Sequence, residues 1–327
     1  MKELFRRALE AFSAGDAMGM PTEFMTRERI KKEFGIVDDL IDPQISPVHP
    51  NLEKGRVTDD TEQVLYLVKT YYSRSSVTVE ATVEGLLKWI EETEADKKGY
   101  IGPSSLKALK RISRGEDPRK AGVGGTTCGA AMRVFAPALS VKHHDFEALK
   151  NAIWSATVPT HNTNIAMEAA MALGFGYHFA ALGTDFKGII NAILKGAMIG
   201  RGMADKEYVG ASTGKRIEYL LYEIERIRSE EELLDFIYDV VGTTMESNEV
   251  VPAAVAIFAY AKENTWLAIR LGASVGGDTD TIAAIAGALS CLHAGRHNIP
   301  IRILKTIIQI NALNLEKYAS MLYEMFH

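Results

Sequence analysis

Apolar, alanine-rich stretches whose hydrophobic residues recur at helical spacing dominate this chain. Most of these stretches are too long for β-strands, and few segments alternate polar and apolar residues with a period of two. The clearest examples are residues 64–72, 83–90, 165–173, 186–199, 251–261 and 282–292. The pattern predicts an all-α, multi-helix fold.

Short joints rich in glycine and proline separate the apolar stretches, and none resembles a long flexible linker. They lie at 42–50, 99–103, 122–125, 210–214 and 272–277. Residues 220–238 mix charged and apolar residues at helical spacing, which is typical of a pair of surface helices. A chain of 327 residues also supports one sizeable core. We therefore expect residues 1–327 to form a single domain.

Composition excludes several classes of protein. A net charge of −5 argues against a nucleic-acid partner and against a polybasic membrane patch. No segment has the run of about eighteen apolar residues that a transmembrane helix needs, and the chain begins without the apolar run of a secretion signal. Two cysteines, Cys128 and Cys291, are too few for a disulfide framework. A cytoplasmic protein with reduced thiols is expected.

Two acidic clusters, each directly before or at the beginning of an apolar helical stretch, are the most informative polar feature. The residues of the two clusters are Thr58, Asp59 and Asp60, and Asp278, Asp280 and Thr281. Aspartate and threonine are common helix N-caps, so capping explains one such residue in each cluster. Further acids in the same turn repel the cap, and capping does not explain them.

Four carboxylates and two threonine hydroxyls form a hard, all-oxygen ligand set, which suits Mg²⁺ or Mn²⁺. If the two helix starts face each other, the carboxylates can bridge two ions, which would cancel their mutual repulsion. The eight histidines are scattered and no Cys-x-x-Cys occurs, so the spacing matches no zinc site. The sequence therefore predicts a dinuclear Mg²⁺ or Mn²⁺ centre.

Two acids near the beginning of the chain accompany these clusters. Asp16 lies within an apolar helical pattern, flanked by glycines, and is either a buried aspartate with satisfied hydrogen bonds or a local cap. Glu23 follows Pro21 and is expected in a loop, where it is either a solvated side chain or a group near the metal centre.

A glycine-rich segment and two later residues are candidates for binding substrate. Glycines let backbone amides approach a ligand, and amides at a helix start attract phosphate. Arg133 could hold phosphate or pair with a neighbouring acid, and His161 suits a structural hydrogen bond as well as a ligand contact. The candidates are Gly124, Gly125, Thr126, Cys128, Gly129, Arg133 and His161.

Six motifs together resemble the ADP-ribosylglycohydrolase family, which includes the dinitrogenase-reductase-activating glycohydrolases and the ADP-ribosyl-acceptor hydrolases. The motifs lie between Gly15 and about Leu289, so the resemblance covers nearly the whole chain. They are GDAMGMPTE, VTDDTEQ, GAAMR, PTHNTN, NEVVPAAVAIF and GGDTDTIAAIAGAL. The VTDDT and GGDTDT pair, in this order and separation, is the specific part.

The resemblance implies an orthogonal all-α bundle with a central cleft that holds two Mg²⁺ or Mn²⁺ ions. It implies that Glu23 lies on a mobile loop near the scissile bond and that residues 124–129 wrap the diphosphate or distal ribose. It also implies that His161 lines the cleft. The metal ligands it implies are Thr58, Asp59, Asp60, Asp278, Asp280 and Thr281.

The activity that the resemblance implies is hydrolysis of the anomeric bond of ADP-ribosyl groups on a protein or small-molecule acceptor. Two metals can bind the ribose hydroxyls and activate water, while Glu23, Asp59 and Asp280 are the candidates for proton transfer. Many family members have Asn-Gly where this chain has Cys128-Gly129, and a thiol replaces an amide poorly. Two alternatives stay open: hydrolysis of a free nucleoside or small ribosyl conjugate, and a non-catalytic ADP-ribose-binding or lens-crystallin-like relative.

Overall fold

A computed structural model describes residues 1–98 and 101–327, so the first two residues of the predicted 99–103 joint lie outside the described part. Within it the chain forms eighteen α-helices and no β-strand, which confirms the all-α prediction. The helices are α1 (Lys2–Gly19), α2 (Arg27–Glu33), α3 (Asp59–Arg74), α4 (Val79–Thr93), α5 (Ala95–Lys98), α6 (Pro103–Ile112), α7 (Pro118–Ala121), α8 (Phe135–Leu139), α9 (Phe146–Thr157), α10 (Asn164–Ala181), α11 (Phe186–Arg201), α12 (Thr213–Ile224), α13 (Glu230–Phe236), α14 (Ser247–Ala261), α15 (Thr265–Ser274), α16 (Thr279–Ala294), α17 (Ile301–Ile310) and α18 (Leu315–Phe326).

The six predicted helical stretches fall within α3, α4, α10, α11, α14 and α16. The predicted surface pair at 220–238 corresponds to the end of α12 and to α13, which continues into a π-helical turn at Ile237–Val241. Among the described residues, we find no helix with the length and apolar character needed to cross a membrane.

Three helices occupy the interior, since nearly every residue of α10, α14 and α16 is buried. A helix that is apolar all round can be stabilised only by neighbours on every side. α16 accordingly packs against α1, α10, α14 and α15, while α10 packs against α8, α9 and α11. α3 packs against α4 and α18. Its N-cap, Thr58, contacts Asp280 in the first turn of α16.

α1 and α16 pack in close contact. A Cβ added at Gly15 would lie 2.5 Å from the backbone nitrogen of Ala284, and one at Gly19 would lie 2.5 Å from the Cα of Asp280. Any side chain there would overlap with the backbone of α16, so glycine at both positions permits the contact. The contact places Asp16, which lies between the two glycines, beside the first turn of α16.

Candidate metal centre

The two acidic clusters form the first turns of α3 and α16, and these turns meet. Thr58 is the N-cap of α3 and Asp278 is the N-cap of α16. The Thr58 Oγ1 lies 3.4 Å from Oδ2 of Asp280, and the Thr281 Oγ1 lies 3.3 Å from Oδ2 of Asp60. Each helix start therefore contacts the acids of the other.

Asp16 fixes the position of α3 from within α1. Its carboxylate accepts hydrogen bonds from the backbone nitrogen and hydroxyl of Thr58, both at 2.9 Å, and from the backbone nitrogen of Thr61 at 3.0 Å. Asp16 is thus a buried aspartate with satisfied hydrogen bonds, and these bonds hold the first turn of α3 against α1. Burial raises the pKa of Asp16 to about 6, although these hydrogen bonds act in the opposite direction.

A tight turn before α16 joins the Asp278 segment to the Glu23 segment. Gly277 has a φ of 76°, and a Cβ added there would lie 2.7 Å from the carbonyl carbon of Thr243. The Gly277 oxygen accepts a hydrogen bond from the Phe24 nitrogen at 2.7 Å, and the Asp278 nitrogen donates to the Thr243 oxygen at 2.8 Å. Because of these bonds, Glu23 faces the acids of α16.

A cleft with an open volume of about 680 Å³ lies over the two helix starts. Its floor is acidic, and its walls combine loops and apolar side chains. The lining residues include Glu23, Phe24, His49, Asp59, Asp60, Ile101, Cys128, Gly129, Met132, Met245, Asp278, Asp280 and Thr281.

Burial and mutual repulsion raise the pKa of all four aspartates. Burial is the largest cause in each case; for Asp59, Asp278 and Asp280 the negative charge of Glu23 is the next. The pKa of Asp278 rises to about 6, and those of Asp59, Asp60 and Asp280 rise well above their ordinary range. Four carboxylates, three of them buried and that of Asp59 half-buried, are therefore unfavourable when charged, unless cations lie among them.

The donor atoms fit a hard divalent cation. The Oδ1 of Asp60 is buried and has no hydrogen-bond partner within the described residues. The Thr58 hydroxyl donates its proton to Asp16, so its lone pairs remain able to face a cation. Oxygen atoms of this kind are the preferred ligands of Mg²⁺ and Mn²⁺.

Comparison with known proteins places this arrangement in a family. The family model described as ADP-ribosylglycohydrolase matches residues 1–327. The chain belongs to the ADP-ribosylglycohydrolase family. The resemblance noted from the six motifs is thereby confirmed, and the protein is a glycohydrolase for ADP-ribosyl groups. Metal dependence is a known property of this family.

Two relatives and one solved structure are similar to this chain over much or all of its length. The Escherichia coli (strain K12) protein YegU is 28% identical over 319 residues, which are 96% of this chain and 95% of that protein. The ADP-ribosyl-[dinitrogen reductase] glycohydrolase of Rhodospirillum rubrum is 28% identical over 185 residues, 55% of this chain and 60% of its own. A solved structure, described as an ADP-ribosylglycohydrolase-related protein complex, has a TM-score of 0.71 at 23% identity and covers 100% of both chains. The similarity to that structure shows that the two chains share a fold.

Cys128, which departs from the motif of many ADP-ribosylglycohydrolases, lies in the cleft wall beside the acids. Its Sγ donates to Oδ2 of Asp278 at 2.9 Å, and its backbone nitrogen donates to the Met245 oxygen at 2.8 Å. Burial and the charge of Asp278 raise the pKa of the thiol well above its usual range. The Cys128 side chain is therefore a neutral thiol that is bonded to one of the acids.

The glycine-rich segment of this ADP-ribosylglycohydrolase divides between two pockets. Gly129 lines the acidic cleft, whereas Gly124 and Gly125 line an adjoining pocket that also contains Lys107. Thr126 lines neither of these pockets; its carbonyl oxygen accepts a hydrogen bond from the Ser247 nitrogen at 3.0 Å and fixes the segment to α14.

Arg133 lies beneath the cleft and is fully buried. Its guanidinium donates to the carbonyl oxygens of Gly129 at 2.7 Å and Ala156 at 3.2 Å, and to the hydroxyl of Thr160. Burial lowers the pKa of Arg133 to about 10. The guanidinium is bonded to the protein and supports the Gly129 segment from below, and a contact of Arg133 with phosphate stays a prediction.

His161 is also fully buried, next to Arg133. Its Nδ1 lies 2.7 Å from Oγ1 of Thr160 and its Nε2 lies 3.0 Å from Oγ1 of Thr127. Burial and the charge of Arg133 lower the pKa of His161 well below its usual value, so the ring is neutral. The ring makes structural hydrogen bonds and lies behind the residues that line the cleft, and its contact with a ligand stays a prediction.

His49 is a cleft residue that the sequence did not reveal. It is buried in the loop between the 3₁₀ turn Pro43–Ile45 and α3, and its Nε2 lies 2.8 Å from Oε2 of Glu23. The loop has no helical period, and the histidine belongs to no motif. Only the three-dimensional contact between two loops brings this ring to the acids.

Proposed function

We propose that this ADP-ribosylglycohydrolase hydrolyses the anomeric bond of ADP-ribosyl groups on a protein or small-molecule acceptor, with two divalent ions, Mg²⁺ or Mn²⁺. The observation that carries the proposal is the contact between the first turns of α3 and α16, which gathers four carboxylates, three of them buried, in one cleft. The ligands proposed are Thr58, Asp59, Asp60, Asp278, Asp280 and Thr281.

Bound ions of this kind would hold the ribose hydroxyls and lower the pKa of a nearby water. Asp59 and Asp280 both line the cleft and are positioned to accept a proton from a water there. The Gln63 Nε2 donates to Oδ2 of Asp59 at 2.9 Å and so orients that carboxylate.

Glu23 is proposed to act at the leaving group. It follows the turn Met20–Thr22, lines the cleft and has only 12% of its side chain exposed. A carboxyl group in this position can protonate or stabilise the leaving group as an oxocarbenium-like transition state develops at the anomeric carbon. Asp59 or Asp280 would then serve as the base, and Glu23 as the acid.

The remainder of an ADP-ribosyl group is proposed to extend along the glycine-rich segment. Cys128 and Gly129 would contact the part of the substrate in the acidic cleft. Gly124 and Gly125 would contact the diphosphate in the adjoining pocket, where Lys107 supplies positive charge. Thr126 would act by fixing this segment to α14.

A second candidate is hydrolysis of a free nucleoside or another small ribosyl conjugate. One observation favours it. The thiol of Cys128 donates its hydrogen bond to Asp278 and is not an amide, so this part of the wall offers the substrate few polar partners. A compound without a diphosphate would need fewer polar partners there.

A substrate panel tests both candidates. We would measure kcat/KM for ADP-ribosyl-arginine, O-acetyl-ADP-ribose and a set of nucleosides, with Mg²⁺ or Mn²⁺ and with a chelator. Cation-dependent release of ADP-ribose, with nucleosides cleaved far more slowly, is the expected result. A preference for nucleosides would establish the second candidate, and full activity in the chelator would contradict the metal-dependent mechanism.

A further inference from the structure

Glu23, His49 and Asp280 form a compact group of potential cation ligands at one side of the cleft. One ligand atom from each of the three lies within 4.8 Å of the others. The contact between Nε2 of His49 and Oε2 of Glu23 measures 2.8 Å, and only 7% of the His49 side chain is exposed. The imidazole therefore lies against the protein, with its edge towards the carboxylate of Glu23.

These separations match the coordination sphere of a divalent ion. With metal–ligand bonds of about 2.1 Å in octahedral geometry, neighbouring ligand atoms lie about 3 Å apart and opposite ones about 4.2 Å apart. The 2.8 Å separation fits a neighbouring pair, and the 4.8 Å limit accommodates all three ligands around one ion.

Charge also favours a cation at this position. Glu23 and Asp280 each place a carboxylate oxygen within 4.8 Å of the other. The same cleft is lined by Asp60, which is buried and has one oxygen without a hydrogen-bond partner among the described residues. A divalent ion among these carboxylates would convert their repulsion into attraction.

The loop that carries His49 is fastened to the segment that carries Glu23. The Ser46 Oγ accepts a hydrogen bond from the backbone nitrogen of His49 at 3.0 Å. The same oxygen lies 3.5 Å from the carbonyl oxygen of Met20, to which it donates, and Met20 begins the turn that leads to Glu23. The imidazole and the carboxylate are therefore held towards each other by the backbone.

We infer that, in the protein without substrate, His49 supplies a nitrogen ligand to a divalent cation that Glu23 and Asp280 also bind, so that one side of the metal centre is a mixed nitrogen–oxygen site; the acid role proposed for Glu23 belongs to the substrate-bound state. The inference rests on the metal-dependent function proposed above and adds a ligand that the motifs lack. Imidazole suits first-row transition ions better than Mg²⁺. We therefore expect this site to prefer Mn²⁺ over Mg²⁺.

Pulsed electron paramagnetic resonance on the full-length chain, with Mn²⁺ alone and no substrate, tests the inference. Wild-type protein should show nitrogen coupling to bound Mn²⁺, and labelling with ¹⁵N-histidine should change that coupling. His49→Gln keeps a hydrogen-bond donor for Glu23 but lacks the imidazole, so the coupling should disappear. The control, His144→Gln, alters an exposed histidine that does not line the cleft and should retain the coupling.

Titration calorimetry adds a readout that does not depend on spectroscopy. His49→Gln should lower Mn²⁺ affinity by about tenfold or more and change Mg²⁺ affinity much less. If wild type binds Mn²⁺ without nitrogen coupling, His49 is not a ligand, while the metal-dependent function survives. If wild type binds neither Mn²⁺ nor Mg²⁺, both the inference and the metal-dependent function are overturned.

Discussion

Asp278 serves both the fold and the proposed chemistry. Asp278 is the N-cap of α16, and its backbone nitrogen donates a hydrogen bond to the Thr243 oxygen. Its carboxylate accepts a hydrogen bond from the thiol of Cys128. The backbone contacts do not depend on charge, whereas cation binding does. Substitution of the carboxylate should therefore separate the two roles.

Asp278→Asn should weaken the binding of at least one divalent ion and leave the protein folded. The lost negative ligand lowers cation affinity, while relief of repulsion among the buried acids offsets the loss of stability in the metal-free protein. Titration calorimetry with Mg²⁺ and Mn²⁺ measures affinity and stoichiometry, with the exposed Asp239→Asn as the matched control. Equal affinity and stoichiometry in Asp278→Asn and wild type would remove Asp278 from the ligand set.

Glu23→Gln should lower kcat by roughly 10²- to 10⁴-fold, the usual size of a general acid–base contribution. Turnover is measured at saturating Mn²⁺, so that a change in cation affinity does not enter the result. Glu28→Gln, which alters an exposed glutamate of α2, should retain full turnover. A loss of less than about threefold in Glu23→Gln would leave this glutamate without a role in proton transfer.

Cys128→Asn should improve kcat/KM for ADP-ribosyl compounds relative to simple ribosides. A hydrogen bond to a charged group contributes about 1.5–3 kcal/mol, or roughly ten- to a hundredfold in affinity, and asparagine could supply one here. The comparison uses ADP-ribosyl-arginine, O-acetyl-ADP-ribose and free nucleosides. If wild type already prefers ADP-ribosyl compounds by orders of magnitude and Cys128→Asn changes nothing, the cysteine is a packing substitution.

Single residues differ in how far the sequence predicts their positions. The acidic clusters are recognisable because several acids in one helix turn are unfavourable without a cation. Arg133 and His161 lie within two of the six motifs, GAAMR and PTHNTN. The motifs do not specify whether these side chains point into the cleft or into the protein interior. His49 could not be found, since its contact with Glu23 joins two loops without a periodic pattern.

At the scale of helices, the contact of α1 with α16 positions the acids of the proposed metal centre. Gly19→Ala would place a Cβ 2.5 Å from the Cα of Asp280, so α16 must shift. We expect a loss of about 1–3 kcal/mol in the free energy of unfolding, together with weaker cation binding. Gly202→Ala is the control, because an added Cβ there meets nothing closer than 3.8 Å.

Denaturant unfolding and Mn²⁺ titration of both variants measure these effects. Unchanged stability and unchanged Mn²⁺ affinity in Gly19→Ala would show that the contact tolerates a side chain and does not set the geometry of the acids. If Gly202→Ala lost as much stability as Gly19→Ala, the loss could not be attributed to the contact of α1 with α16.

Helix periodicity predicts the existence of the main helices because it depends on residues a few positions apart. It does not predict which helices touch. Gly15 packs against Ala283, which is far away in the sequence, and no residue near Gly15 indicates that contact. The role of Asp16 was unresolved for the same reason, since its hydrogen-bond donors belong to α3.

At the scale of the whole molecule, the buried acids make the stability of the metal-free protein depend on pH. The pKa values of Asp16 and Asp278 rise from the ordinary 3.8 to about 6 on folding, and those of Asp59, Asp60 and Asp280 rise further. The folded chain thus binds more protons than the unfolded chain. The contribution of these groups to stability is therefore most favourable below pH 4 and is lost as the pH rises through 6 and above.

The difference in Tm between protein saturated with Mn²⁺ and protein in a chelator should therefore widen from pH 5 to pH 8. Groups that lie away from the cations, such as neutral His161, act in both states and cancel in the difference. Calorimetric melting at several pH values supplies the measurement. A difference in Tm that stays constant or narrows with rising pH would contradict cation binding among these acids.

The pairing of α1 with α16 also has a consequence for synthesis on the ribosome. α1 leaves the exit tunnel long before α16 and α18, against which many of its buried residues pack. Until then its apolar face has no permanent partner in the nascent chain. Contacts this distant in sequence slow folding, and a chaperone that shields the nascent amino-terminal segment would protect it from aggregation during translation.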